Sequence, residues 1–199
     1  MNNPIELPFQ VSLALGIVVF LLLRMYYFFR SQILRDFLPV AFENRWVRIF
    51  GIVVMLAWAA VVILWLVRAD WLAWSAVTLP EWLRWLGVVL MTTGLGLMTW
   101  AYETLGRSFH PMPDARAPRQ LITTGPYRLM RHPMYAAILI SSLAVCLVTA
   151  NWLIFALAIP LQILGWVFRI PREEALMREE FGTSYLQYQD RTGRFFPRF

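Results

Sequence analysis

Arg128, Arg131, His132 and Tyr135 fall within eight residues at the mouth of an apolar segment that can cross a bilayer. A helix needs none of these side chains simply to span. Pro133 suits the first helical position, which places His132 at the cap. Free backbone N–H groups and the positive helix end then face the interface beside Arg131 and Arg128, a ready anion site. His132 and Tyr135 are three apart and share a face. Lipid phosphate binding with interfacial anchoring explains the same residues, and residue chemistry alone leaves the two readings level.

A second set follows the last apolar run. Pro171 is expected to open a new helix with Glu173 and Glu174 in its first turn. The helix dipole favours a carboxylate there, and Arg169 and Arg178 each stand four residues from one of the pair. That accounts for one glutamate. Two at a bilayer edge cost more, which argues for a bound partner such as hydroxyls or an ammonium group. Met177, Phe181, Tyr185 and Tyr188 then form a stripe that packs down on the membrane domain, with a break at Gly182.

Five apolar spans must position these groups: about residues 9–29, 49–67, 83–100, 133–149 and 152–168. The chain reads as an all-α polytopic membrane protein with a cytosolic helical tail. It forms one membrane domain over residues 1–199. Only Ala150 and Asn151 separate the last two spans, so these form a tight antiparallel hairpin. His132 and Glu173 are therefore expected to lie close in space. Pro160 is expected to kink the fifth span. Gly87, Gly94 and Gly96, with Thr92 and Thr93, give the third span a small side for close helix approach. Pro111, Pro113 and Pro118 mark an irregular loop over residues 107–120.

Of 199 residues 59% are apolar, more than a soluble domain carries, and all 18 basic residues are arginine. Alternate connections hold fifteen arginines against two, Arg68 and Arg84, with Arg24 left inside the first span. The positive-inside rule puts the N-terminus outside and the C-terminus in the cytosol. The inner membrane of a bacterium is the expected location. Trp71, Trp74, Trp82, Trp85 and Trp152 fit an aromatic belt on the outer face. Met1 to Pro8 lacks the positive region of a signal peptide, so the first run reads as a retained span. Cys146, the single cysteine, reads as a buried structural thiol. The arginines beside apolar runs suit lipid headgroups, and nucleic acid is not an expected partner. No phosphate-binding glycine loop, Gly-x-Ser-x-Gly elbow or Cys/His set at zinc spacing is present, and no metal is expected.

Several motifs occur together over residues 105–199. They are Leu105-Gly106-Arg107, Leu121-Ile122-Thr123-Thr124-Gly125-Pro126-Tyr127-Arg128 and Arg131-His132-Pro133-Met134-Tyr135. Glu173-Glu174-x-Leu176, Phe181-Gly182-x-x-Tyr185-x-x-Tyr188 and Arg194-Phe195-Phe196-Pro197 follow. In these the sequence resembles the isoprenylcysteine carboxyl methyltransferases and the related phospholipid methyltransferases. The resemblance implies S-adenosylmethionine as methyl donor, bound on the cytosolic side. By position His132 and Tyr135 would hold its amino-acid end with Arg131 assisting. Glu173 or Glu174 would meet ribose hydroxyls or the ammonium group, and Gly125, Pro126 and Tyr127 would line the pocket.

The resemblance also implies a lipidic or prenylated methyl acceptor, whether carboxylate, amine or thiol, arriving from the bilayer. Arg107, Arg128, Glu173 and Glu174 are the candidates for steering it. Residues 1–104 carry no motif of the family and would form the acceptor-side wall. An NADPH-dependent membrane reductase of the sterol reductase type, which shares a similar Arg-His-Pro-x-Tyr block, is the competing reading. A non-enzymatic membrane protein that keeps the fold is a third.

Overall fold

A computed structural model describes residues 6–30, 45–108 and 121–198. The elements in order are α1 (Leu7–Arg30), α2 (Arg45–Arg68), a 3-10 segment (Ala69–Ser75), α3 (Glu81–Ser108) and a second 3-10 turn (Gly125–Arg128). The hairpin α4 (Pro133–Thr149) and α5 (Trp152–Leu164) follows, then a π turn (Gly165–Arg169), α6 (Ile170–Phe181) and α7 (Thr183–Arg191). No strand occurs among the described residues, only isolated bridges at Ala76–Asn151 and Met130–Gly193.

Helices are what these apolar runs must form, because lipid offers the backbone no hydrogen-bond partner. Four helical segments are long and apolar enough to cross a membrane, beginning at Leu7, Arg45, Glu81 and Trp152. The apolar α4, of 17 residues, is shorter. On α1 and α2, large side chains such as Leu15, Leu22, Leu56 and Ile63 point outward, as lipid-facing surfaces should. The inner helix is α4, where Ala137, Ala144, Val145 and Val148 are buried.

Close approach of α3 to α4 depends on two glycines. A Cβ at Gly87 would press on Ala144 and Leu147, and one at Gly94 on Ala137 and Ser141. Gly96 faces open space, so the expected small side uses two of its three glycines. The hydroxyls of Thr92 and Thr93 fold back on their own helix carbonyls.

The α4–α5 hairpin turns as expected at Ala150 and Asn151. Ala150 takes the left-handed conformation (φ 45°). The Asn151 side-chain oxygen accepts from the N–H groups of Leu153 and Ile154, capping α5.

α6 begins at Ile170 with Pro171 and Glu173 in its first turn, as expected, and it follows α5 without a break through the π turn. Pro171 lacks an N–H and crowds the carbonyl one turn earlier, and the wider π turn lies where that strain falls. α5 continues through Pro160. Gly182 (φ 52°) ends α6 as expected and re-aims the chain. The expected stripe is therefore split: Tyr185 and Tyr188 are buried, whereas Met177 is 39% exposed. The expected loop over residues 107–120 lies, beyond Ser108, outside the described residues.

Candidate functional site at the start of α4

Pro133 occupies the first turn of α4 and His132 its cap. The two residues before this helix are held by the tail through their own N–H groups. Arg131 N–H donates to the Gly193 carbonyl (2.8 Å) and His132 N–H to the Arg194 carbonyl (2.9 Å). The tail thus lies against residues 130–132 as a two-bond clasp.

Glu174 is the hub beneath that clasp. Its carboxylate accepts from Arg194 Nη2 at 2.8 Å, Arg131 Nε at 3.3 Å and His132 Nε2 at 3.3 Å, with Arg178 Nη2 at 3.6 Å. Its side chain is 1% exposed. Burial alone would push this carboxyl up. The Arg194 hydrogen bonds and charge, with Arg131 and His132, outweigh burial and hold it below the ordinary carboxylate value. Arg131 also donates to the carbonyls of Gln189 and Thr192 and so holds the end of α7.

Glu173 is built differently. It accepts from the Tyr135 hydroxyl at 2.9 Å and from Arg169 Nε at 2.8 Å, and His132 Nδ1 lies 3.8 Å away. Its side chain keeps 32% exposure. His132 is buried, edge-to-face with Tyr135 and 6.4 Å from the Phe195 ring. Burial pulls its pKa below the ordinary histidine value despite both glutamates, so the ring is neutral at pH 7. Phe195 in turn packs on Trp166 at 5.3 Å, and the buried Trp166 Nε1 has no hydrogen-bond partner.

The turn Gly125–Arg128 closes one side. Gly125 adopts φ 58° and abuts Thr104 of α3. Pro126 is buried and its carbonyl receives the N–H groups of Leu129 and Met130. Tyr188 donates to the Tyr127 carbonyl at 2.6 Å, tying the turn to α7. Burial pushes the Tyr127 phenol well above its ordinary value.

The structure therefore brings together Tyr127, Arg131, His132, Tyr135, Glu173 and Glu174, with Gly125 and Pro126 shaping the turn. Arg128 is exposed and makes none of these contacts. The side chain of Arg107 lies outside the described residues. Sequence reasoning gave no role to Arg194, Gly193 or Trp166. Arg194 was legible as a cation within a tail motif, but its partner was not. Trp166 depends on the π turn, which leaves no local signal.

The phospholipid methyltransferase family model matches residues 82–184, just over half of the chain. Protein-S-isoprenylcysteine O-methyltransferase B of Arabidopsis thaliana is 33% identical over 115 residues, covering 55% of this chain and 57% of that protein. Protein-S-isoprenylcysteine O-methyltransferase of Dictyostelium discoideum is 29% identical over 133 residues, covering 60% and 52%. The chain thus spans about half the length of the curated relatives it matches. These relatives are eukaryotic and lend no support to a bacterial inner membrane. A solved eukaryotic intramembrane Ras methyltransferase, isoprenylcysteine carboxyl methyltransferase, superposes with a TM-score of 0.47 at 26% identity, over 58% of this chain and 42% of that one. The family match covers the glycine turn, the α4 mouth and the paired glutamates alike: the chain is an integral membrane protein of the phospholipid methyltransferase family.

Proposed function

We propose that the chain transfers a methyl group from S-adenosylmethionine to a lipidic, prenylated acceptor at the cytosolic face of the membrane. One observation carries this reading: Glu173 keeps a third of its side chain open beside a neutral, buried histidine. The names of the relatives agree with methyl transfer and not with reduction.

The residues present fit the donor. S-adenosylmethionine, when bound, supplies a methyl group on a sulfonium. Its ammonium group suits Glu173, and Trp166 Nε1 offers an orphan donor. Tyr135, Phe195 and the neutral His132 provide rings that shield the pocket from water without adding positive charge. Glu174, already saturated by cations, acts as a positioning residue that fixes Arg131 and His132. Alignment and water exclusion are the contributions such a site makes to displacement at carbon. The arginine distribution orients this end of the bundle toward the cytosol, with α4 as a short fourth span of ~25 Å.

Thermal stabilisation of the detergent-purified protein by S-adenosylhomocysteine, with NADPH in parallel, tests the reading. At ~100 times its dissociation constant a specific ligand adds about 2.7 kcal/mol. A shift with S-adenosylhomocysteine alone is expected. A shift with NADPH alone would transfer the protein to the reductases.

A further inference from the structure

Arg24 lies inside α1, six residues before Arg30 and so ~9 Å within the helix end. Among the described residues no carboxylate pairs with it. An arginine at such a depth is costly and marks a site by default. One turn on, Tyr27 stacks on Tyr102 of α3 at 4.6 Å with 26° between the planes. The Tyr27 hydroxyl donates to Glu103 at 2.7 Å, which engages the neighbouring carboxylate.

Tyr102 is 1% exposed, yet its hydroxyl has no hydrogen-bond partner. Arg24 stands one turn before Tyr27 and so on the face of α1 that stacks on Tyr102. A buried hydroxyl left unpaired costs the full desolvation of the group. A cation and an orphan donor thus belong to the same α1–α3 contact face, and one anionic acceptor would satisfy both.

The place leads directly to the site. Tyr127 packs on the cluster that holds Tyr27 and Tyr102, and its carbonyl accepts from Tyr188 of α7. Phe20 and Leu23 pack on the same cluster and give it an apolar wall.

We infer that Arg24 and Tyr102 form a clamp for the acid group of the amphiphilic methyl acceptor, which makes them the specificity-determining pair of the acceptor side. The inference rests on the methyl-transfer reading above. A guanidinium and a phenol can hold a carboxylate through both oxygens. A neutral ester of the same molecule loses the charge-assisted bonds, so the clamp favours acid over ester.

The test uses the full chain in detergent micelles. Binding of an S-farnesylated N-acylcysteine is compared with that of its methyl ester by thermal-shift titration, with S-adenosylhomocysteine titrated separately. Wild type is expected to bind the acid about tenfold tighter than the ester. Arg24→Gln and Tyr102→Phe are each expected to abolish that preference and leave S-adenosylhomocysteine binding unchanged. Arg24→Lys keeps the charge and is expected to retain part of the preference, which guards against a variant that fails to fold. An acid preference that survives both Arg24→Gln and Tyr102→Phe overturns the clamp.

A parallel titration replaces phosphatidylcholine with phosphatidylglycerol in the micelle. If the anionic lipid, and not the farnesylated acid, loses its effect in Arg24→Gln, Arg24 is a headgroup anchor and the proposal fails. Acid preference without S-adenosylhomocysteine binding would leave the clamp standing and remove the methyl-transfer reading. The reverse pattern would do the opposite.

Discussion

Two adjacent glutamates, one bond pattern apart in sequence, have opposite fates. Glu174 is buried with three arginines and a histidine around it, while Glu173 keeps an open edge. Breaking a buried pair leaves charges without a partner, at about 3–5 kcal/mol. Glu174→Ala is therefore expected to lower the melting midpoint sharply, measured in detergent without ligand. Glu173→Gln is expected to leave the midpoint nearly unchanged and to weaken S-adenosylhomocysteine binding about tenfold or more. Equal midpoints for the two variants would contradict this division.

Acid acts at the same residues. His132 has a folded pKa below its ordinary value, so the unfolded chain binds the proton first on acidification. Its contribution to stability is complete above the ordinary histidine range and is lost as pH falls below it. Glu174 adds the same sign lower down, its contribution being lost as pH falls through its depressed folded value. The melting midpoint should fall steadily from pH ~7 to ~4, and a rise over that range would refute the assignment.

At the scale of elements, the glycine turn and the tail clasp are the pieces a backbone change should break. Gly125→Ala must hold φ 58° with a Cβ against Thr104, and the left-handed conformation alone costs about 1–2 kcal/mol. A Cβ at Gly193 would collide with the Phe196 carbonyl. Gly193→Ala is expected to release the tail, read as faster amide exchange at Arg131 and His132. Unchanged exchange there would mean that the clasp does not depend on this glycine.

Much of this layer was legible. Pro133 after a histidine gave the α4 start, Ala150-Asn151 gave the hairpin turn, and Gly182 gave the break. These are local signals with one strong steric cause each. The π turn was not legible, because it answers a proline that lies beyond it. Nor was the sharing of Glu174, because Arg131 and Arg194 come from segments on either side of the α4–α5 hairpin. The tail's bonds to Arg131 and His132 were hidden for the same reason: their partners are distant in sequence.

At the scale of the molecule the two ends are built for different work. The end opposite the site holds a cavity of about 420 Å³ beside the Glu6–Arg84 ion pair, which closes at 2.7 Å. Arg84 also donates to the Val148 carbonyl and lies 3.8 Å from the centre of the Phe9 ring. The sequence presented Arg84 as an edge residue of a loop; it is a buried strut between α1, α3 and the hairpin. Trp71, Trp74 and Trp82 stay exposed at this end. Trp71→Ala is expected to leave S-adenosylhomocysteine affinity within twofold of wild type, a margin of roughly 0.4 kcal/mol. A larger loss would mean that the two ends communicate.

The tail clasp also has a bearing on biosynthesis. Arg131 and the Thr192 carbonyl it holds are 61 residues apart, with both hairpin helices between them. At ~5–20 residues per second, translation leaves an interval of roughly 3–12 s between them. During that time the hairpin can enter the bilayer before the Glu174 cluster is complete. The nascent chain is thereby inserted with its polar cluster half built, and the last contacts close only when the tail returns to the start of α4.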